Sequence, residues 1–188
     1  MRIDGNIYLD YQASTPVDPR VLQVFVETTK SFVGNPHSSD HAFGSRAAAR
    51  LEEAAGRVAA TIGAERDEII FTSGATEANN TAILGLARKA PPRRRRILIS
   101  TVEHKCVIGA AHVAAELFGM HVETVGVDAA GHLDAAALAR TLDEDVLLVA
   151  VIGAHNEFGT LQHLDALARL CEKAGAVLHV DGAHTVSY

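Results

Sequence analysis

The sequence predicts an α/β protein built around a mostly parallel, doubly wound β-sheet. Strand-like and helix-like segments alternate regularly from about residue 68 to residue 180. Several of the strand-like segments are nearly continuous runs of Val, Ile and Leu, which is typical of strands covered by helices on both faces. With 188 residues, of which 48% are apolar, the chain can bury one sizeable core, so we expect a folded domain and not a disordered chain.

The N-terminal third is predicted to contain two helices separated by a loop. Asp18 has the position of an N-cap and Pro19 follows at the first helical position, so a helix is expected to run from there to about Phe32. The other elements predicted in this part are a short strand at 7–9, turns at 12–17, a loop rich in Gly, Asn, Pro, Ser and His at 34–44, and a helix at 45–62 that ends at Gly63.

The rest of the chain alternates between strands and helices. The predicted strands are 68–72, 97–100, 121–125, 146–152 and 176–180. The helical stretches between them lie near 76–89, 105–118, 134–142 and 164–174. Open parallel sheets bind ligands at the carboxyl ends of their strands. The polar side chains that follow these strands are therefore the candidate functional residues.

The net charge, the cysteine count and the distribution of apolar residues indicate which partners and which location to expect. The formal net charge of −6 gives the chain no general attraction to nucleic acids or anionic membranes, and the arginine run at 93–96 is interpreted as a solvated loop. Cys106 and Cys171 are too few for a disulfide framework, and both are interpreted as structural. The sequence begins without the apolar core of a signal peptide and has no membrane-spanning apolar run, so we expect a soluble, cytoplasmic protein.

The first polar cluster is the strand-to-helix turn at 72–77. Its small residues let backbone amides approach an anion, and the helix N-terminus adds partial positive charge. The hydroxyls of Ser73 and Thr76 could add donors, so the turn can form a phosphate cup. The alternative is that Ser73 or Thr76 simply caps the helix.

Two further clusters follow the next strands. His104, in 103–105, has a side chain that can stack on a planar cofactor or move protons near neutral pH, although a plain loop histidine is the alternative. Asn156, in 155–159, offers both a donor and an acceptor to a ring substituent or a substrate carboxylate. Asn and Gly are also ordinary turn residues, so the second of these clusters could be only a turn.

The fourth cluster is the end of the last predicted strand, at 179–184. A buried Asp181 is costly unless it is paired, and a protonated pyridine nitrogen is a suitable partner, because a carboxylate beside it strengthens the ring as an electron sink. Capping of the following segment is one alternative. Metal binding by Asp181 with His179 or His184 is another, but the spacing shows no complete set of metal ligands.

The clusters, in this order, resemble the cysteine desulfurases of the class V branch of pyridoxal-phosphate fold type I. The segments that carry the resemblance are 8–11 (YLDY), 15–20 (TPVDPR), 34–36 (GNP), 71–77 (FTSGATE), 103–105 (EHK), 156–159 (NEFG) and 179–181 (HVD). The resemblance implies that residues 1–188 form a partial cofactor-binding large domain, with an N-terminal segment to about residue 17, and that the C-terminal remainder of the family fold is absent.

The resemblance also assigns roles to matching residues. It implies that Ala75 and Thr76 hold the phosphate of pyridoxal 5′-phosphate. It also implies that His104 stacks on the cofactor ring and assists proton transfer, and that Asp181 pairs with the ring nitrogen. Asn156 is implied to contact cofactor or substrate, and Asn35 to lie at the substrate mouth. His184 stands where these enzymes usually carry Gln beside the cofactor's phenolic oxygen. An imidazole can donate a hydrogen bond there as well.

One family feature has no counterpart. In the resembling enzymes the Schiff-base lysine is the last residue of a Ser-x-His-Lys type segment, whereas the lysines here are Lys30, Lys89, Lys105 and Lys173, and none has that context. The persulfide-forming cysteine and the substrate-binding arginine also belong to the part of the family that lies beyond this sequence. We therefore expect a complementary chain or second subunit, and expect this chain alone to be inactive.

The implied activity is that of a cysteine desulfurase portion. The complete enzyme would convert L-cysteine to L-alanine, leave sulfur as an enzyme-bound persulfide, and pass it to a sulfur-acceptor protein, as in iron–sulfur cluster assembly by a dimeric enzyme. A non-catalytic fold fragment or interaction module is one alternative. Another class V activity, a carbon–sulfur lyase or an epimerase, is a second alternative suggested by His184.

Overall fold

The computed structural model describes residues 2–11 and 13–185, in two compact units that comprise residues 1–71 and 72–188. Residue 12, in the predicted turns at 12–17, lies outside the described residues. Within the described ranges, no helix combines the length and the apolar character that a membrane span requires.

The N-terminal unit consists of a short hairpin and two helices. Its elements are the antiparallel strands β1 (Arg2–Ile3) and β2 (Asn6–Ile7), the helices α1 (Pro19–Ser31) and α2 (Ala42–Ile62), and a 3₁₀ turn at Arg66–Glu68. The strand predicted at 7–9 therefore forms earlier in the chain and is only two residues long.

Caps determine where the two N-terminal helices begin and end. Asp18 accepts a hydrogen bond from the amide of Arg20 at 2.8 Å, as expected for the N-cap of α1. Helix α2 begins three residues before its predicted start, because Nδ1 of His41 accepts from the amide of Gly44 at 3.1 Å. It ends at Gly63, which is left-handed with φ 68°, as the sequence predicts.

The C-terminal unit is a four-stranded parallel sheet between two pairs of helices. The strands are β3 (Arg96–Ser100), β4 (His121–Val125), β5 (Val146–Ile152) and β6 (Val177–Asp181), in the order β4-β3-β5-β6. The helices are α3 (Ala75–Arg88), α4 (Lys105–Phe118), α5 (Ala135–Thr141) and α6 (Leu164–Ala174).

The two faces of this sheet have separate cores. Alternate residues of β3 point to opposite faces, so Ile97 and Ile99 pack with α3 and α4, whereas Leu98 packs with α5 and α6. In β5, Leu148 joins the first core and Val149 the second. Helices on both faces confirm the doubly wound α/β class that the sequence predicts.

The strand predicted at 68–72 does not form. Its first residue ends the 3₁₀ turn, and the segment pairs with no strand among the described residues. Ile69 has extended φ and ψ, but Ile70 is 74% exposed. An apolar, extended sequence becomes a strand only where a neighbouring strand supplies hydrogen-bond partners, and the described chain provides none here.

The arginine run at 93–96 also differs from the expected solvated loop. Arg94 and Arg95 donate to the last carbonyls of helices, those of Ala174 in α6 and Phe118 in α4, at 3.1 and 3.2 Å. Arg96 is the first residue of β3; its side chain is only 16% exposed and forms ion pairs with acidic residues of neighbouring segments. These cations therefore fasten the amino end of the sheet, and only Arg93 keeps a largely exposed side chain.

Candidate functional site

The carboxyl end of β6 delivers a buried carboxylate. Asp181 is 5% exposed; its Oδ2 accepts from Nδ2 of Asn79 at 2.9 Å and its Oδ1 from the amide of Ala183 at 3.1 Å. Within residues 2–11 and 13–185, no lysine, arginine or histidine forms an ion pair with it. Burial of a carboxylate is costly, and both of its hydrogen-bond donors are neutral.

Asn79 is the residue of α3 that reaches this carboxylate. Its Nδ2 also donates to Sγ of Cys106 at 3.3 Å, and its Oδ1 lies 2.8 Å from Nε2 of His179. Since an amide oxygen can only accept, the proton between them belongs to Nε2 of His179. Burial lowers the pKa of His179, against the opposing effect of Asp181, so this histidine is neutral near pH 7.

His104 is the N-cap of α4 and lies beside the same group of residues. Its Nδ1 accepts from the backbone amide of Cys106 at 3.3 Å, and the Sγ of Cys106 is 2.9 Å from that nitrogen. Because Nδ1 accepts, neutral His104 carries its ring proton on Nε2. A ring nitrogen of His104, Sγ of Cys106 and a carboxylate oxygen of Asp181 lie within 4.8 Å of one another.

Glu103 anchors the loop that presents His104. It is 7% exposed, and its Oε1 accepts from the hydroxyl of Ser100 at the end of β3 and from the amide of Ile152 at the end of β5. Its Oε2 has no hydrogen-bond partner in the described chain. Burial raises the pKa of Glu103, chiefly because the charged form loses water. The carboxyl group therefore joins the ends of the two central strands directly before His104.

Asn156 lies with His104 around a cavity of ≈530 Å³. The lining residues come from two loops, 102–105 and 155–158. In the second loop the rings of His155 and Phe158 stack with centroids 3.5 Å apart, and Nδ1 of His155 accepts from the amide of Glu157 at 3.1 Å. The loop after β5 is thus held in a defined turn, and its asparagine is half-buried at the cavity.

The N-terminus of α3 carries no side-chain cap. Gly74 precedes the helix with φ 156° and ψ −179°, a combination that essentially only glycine adopts. Ala75 and Thr76 are the first helical residues, so their amides have no carbonyl partner within the helix. Contrary to the expectation that the hydroxyl of Ser73 serves a phosphate, it donates to Oε2 of Glu77, and Ser73 lowers the pKa of that carboxyl.

The structure brings three of the predicted site residues of the C-terminal unit, His104, Asn156 and Asp181, close to one another. His104 and Asp181 are near neighbours, Asn156 shares a cavity with His104, and Thr76 lies three residues before Asn79 on α3. His184 is half-buried in the turn after β6. Asn35 belongs to the N-terminal unit, where its Oδ1 accepts from the amide of His37 at 2.9 Å; its relation to the other residues stays a prediction.

Two residues of this site, Asn79 and Cys106, are not among the site residues that the sequence predicts. Asn79 lies on the buried stripe of α3 with Ile83 and Ala87, and a polar residue at i, i+4 spacing from apolar core residues is the signal that could have revealed it. Cys106, which the sequence analysis interprets as structural, contacts both His104 and Asn79. Cys171 does fit that interpretation, because it is buried in the core and burial raises its pKa to about 11.

Comparison with known proteins gives one consistent family. Residues 7–188 match the aminotransferase class-V family. A cysteine desulfurase IscS of Rickettsia bellii (strain OSU 85-389) is 41% identical over 176 residues, which cover 93% of this chain and 42% of that protein. A mitochondrial cysteine desulfurase of Drosophila melanogaster is 41% identical over 180 residues, covering 96% of this chain and 39% of that protein.

Solved structures give the same result. A NifS-like protein superimposes with a TM-score of 0.87 and 34% identity, over 93% of this chain and 48% of the other. The structure of SspA in complex with cysteine gives a TM-score of 0.84 and 31% identity, over 92% of this chain and 49% of that one. The chain therefore spans about two fifths of the length of these curated relatives and about half of these solved chains.

Proposed function

The chain belongs to the aminotransferase class V family, and from that membership we propose that it is the cofactor-cradling portion of a pyridoxal-phosphate-dependent cysteine desulfurase. The complete enzyme would take L-cysteine to L-alanine and retain the sulfur as a persulfide. The observation that carries this proposal is the buried carboxylate of Asp181, which has only neutral donors among the described residues and lies beside His104.

Asp181 fits the ring nitrogen of the cofactor. A buried carboxylate is stabilised when a cation pairs with it, and neither Asn79 nor the amide of Ala183 carries charge. A protonated pyridine nitrogen would supply that charge. When bound, pyridoxal phosphate would serve as the electron sink for chemistry at the α-carbon of an amino acid. Asp181 would keep the ring nitrogen protonated, which is what the sink requires.

His104 and Asn156 would hold the other parts of the reacting groups. The ring of His104 is fixed by its bond from the amide of Cys106, so its position against a flat ligand is set before binding. Its proton is on Nε2, where it can be donated to a ligand atom. Asn156, at the cavity shared with His104, would offer its amide to cofactor or substrate.

The start of α3 would receive the phosphate. The free amides of Ala75 and Thr76 and the positive end of the helix favour an anion, and the hydroxyl of Thr76 adds a donor. Glu77 is a neighbouring negative charge, but two donors of Ser73 bind its carboxylate. The phosphate is thus expected at the backbone amides and Thr76, with Ser73 engaged elsewhere.

The Schiff-base lysine is expected on a complementary portion. Of the four lysines, Lys105 lies at the cavity with His104, yet it is the exposed first residue of α4 and has no Ser-x-His context. We further propose a sulfur-acceptor partner, a role in iron–sulfur cluster assembly, a dimer and a cytoplasmic location. A mitochondrial location is the alternative, which the Drosophila relative supports.

Two other functions stay open to test. A non-catalytic fragment is favoured by the lack of a lysine in the family context, and a lyase or epimerase activity by His184, which stands in the turn after Asp181. Product analysis with cysteine and its analogues separates desulfuration, which yields alanine, from these activities.

The experiment compares this 188-residue chain alone with the same chain plus a polypeptide that carries the Ser-x-His-Lys segment. We expect the lone chain to need self-association or a partner for stability and to form no alanine, and the pair to form both alanine and the absorption band of lysine-bound pyridoxal phosphate. Lys105→Ala should leave that band intact. A lone monomeric chain that produces alanine, or loss of the band in Lys105→Ala, would show that the lysine has been assigned wrongly.

A further inference from the structure

We propose that His104, Cys106 and Asp181 bind a single zinc ion when the cofactor is absent, and that the ion and the cofactor exclude each other. The metal site is inferred from the geometry of three side chains and goes beyond the proposed function. The mutual exclusion rests on the proposed function, because it assumes that the cofactor ring uses His104 and Asp181.

The three potential ligand atoms are already close to the arrangement that zinc requires. They lie within 4.8 Å of one another, with Sγ of Cys106 2.9 Å from Nδ1 of His104. Zinc binds sulfur at about 2.3 Å and nitrogen or oxygen at about 2.0–2.2 Å, so ligands of one tetrahedral ion are separated by about 3–4 Å. Side-chain movements of about 1 Å bring the atoms to that separation, and the lone pair of Nδ1 of His104 then turns from the amide of Cys106 to the ion.

The ligand types also suit zinc. Imidazole nitrogen, thiolate sulfur and carboxylate oxygen are its three protein ligands, and three of them leave a fourth position for water. Binding replaces the thiol proton of Cys106, which is released to solvent. The thiolate and the carboxylate of Asp181 then carry two negative charges, which balance the two positive charges of the ion. The buried carboxylate thereby gains the cationic partner that the described protein residues do not provide.

Asn79 forms hydrogen bonds with two of the three proposed ligands, Asp181 and Cys106. One nitrogen, Nδ2, donates to Oδ2 of Asp181 at 2.9 Å and to Sγ of Cys106 at 3.3 Å, so it fixes the distance between carboxylate and sulfur. Its Oδ1 is in turn held by Nε2 of His179 at 2.8 Å. Outer residues of this kind orient metal ligands and strengthen binding. A cysteine that only filled space would not need such hydrogen-bond partners.

Cysteine content makes the site easy to test. The chain has only two cysteines, and Cys171 is buried in the core, away from any of these ligands. This 188-residue chain, which has no Schiff-base lysine in the family context and is dialysed free of pyridoxal phosphate, is titrated with Co²⁺, which reports thiolate coordination through a charge-transfer absorption. We expect one ion per chain, displaced by Zn²⁺. Cys106→Ala should abolish the band and weaken binding at least about tenfold, whereas Cys171→Ala should change neither.

X-ray absorption at the cobalt edge provides a second measurement that needs no variant. One sulfur and two or three nitrogen or oxygen neighbours support the site. A coordination shell without sulfur, or a thiolate band that persists in Cys106→Ala, overturns it. The coordination shell is measured on the wild-type chain, so it decides the site even where Cys106→Ala folds poorly.

Competition tests the exclusion separately. Pyridoxal phosphate is added to the zinc-loaded protein, and we expect it to bind only as zinc is released. Simultaneous binding of both would overturn the exclusion and leave the metal site in place. Failure of the metal-free protein to bind pyridoxal phosphate would contradict the proposed function, while the cobalt data would still decide the metal site.

Discussion

Nδ2 of Asn79 donates to Oδ2 of Asp181 at 2.9 Å, across 102 residues of sequence. This bond joins the helix that begins at the proposed phosphate cup to the strand that ends at the proposed partner of the ring nitrogen. A single asparagine thus holds the start of α3 at a fixed distance from the end of β6.

Asn79→Ala is expected to destabilise the C-terminal unit by about 1–3 kcal/mol, because Oδ2 of the buried Asp181 loses its donor and Nε2 of His179 loses its acceptor. Urea unfolding measures the effect. Asn80→Ala is the control, since the side chain of Asn80 makes only a local bond to the carbonyl of Thr76. Equal losses in the two variants would contradict the role of Asn79.

Asp181→Asn in the complete enzyme should retain some cofactor binding and lose activity by about 100-fold or more, because a neutral amide cannot stabilise a positive ring nitrogen as a carboxylate does. Turnover and cofactor affinity are measured together. Asp165→Asn, an exposed site in the first turn of α6, makes the same chemical change elsewhere and should have little effect. Near-normal turnover in Asp181→Asn would refute the pairing.

The raised pKa of Glu103 should make the stability of the folded chain depend on pH. Burial raises its pKa above the ordinary value of 4.5, so the folded state binds more protons than the unfolded state and is destabilised as the pH rises above about 4.5. The opposite trend comes from His179, whose lowered pKa costs stability as the pH falls below about 6.5. The two groups have opposite effects on the same stability curve, so a variant is needed to separate them.

Glu103→Gln isolates the first effect. The free energy of unfolding of wild type minus that of the variant should fall as the pH rises through the range between the ordinary pKa of Glu103 and its raised value. Glu116→Gln, at an exposed site on α4, is the matched control. A flat difference for Glu103→Gln would mean that its carboxyl group is solvated.

Gly74→Ala should destabilise the protein by about 1–3 kcal/mol, because its backbone conformation excludes other residues. It should also weaken pyridoxal phosphate binding, since the amides of Ala75 and Thr76 are placed by this turn. Gly85→Ala lies in the same helix with open space around the added carbon, and it should stabilise by about 0.5–1 kcal/mol. Thermal and urea unfolding of the pair give the comparison; a harmless Gly74→Ala would contradict it.

The sequence predicts a feature correctly where a rule about neighbouring residues determines it. The bounds of α4 and α6 agree with prediction because their turns and caps are local. Asp181 and His104 could be predicted because residues after parallel strands share one edge of the sheet. The strand at 68–72 could not be excluded, since strand formation depends on a neighbour elsewhere in the chain.

Asn79 and Cys106 depend on packing that no local pattern reports. Both meet Asp181 only because α3 and α4 cover the same face of the sheet. Partners separated by 102 residues are set by the order of the strands, and the sequence around Asn79 does not contain that order.

The 102 residues between Asn79 and Asp181 also determine when their hydrogen bond can form during synthesis of the chain. A ribosome adds about 5–20 residues per second, so about 5–20 s pass between the synthesis of Asn79 and that of Asp181, 102 residues later. During that interval α3 and α4 can already pack on β3, and Asn79 can already donate to Cys106, but its carboxylate partner has not yet been made. The bond between Asn79 and Asp181 therefore forms later in synthesis than the contacts of these two helices with β3.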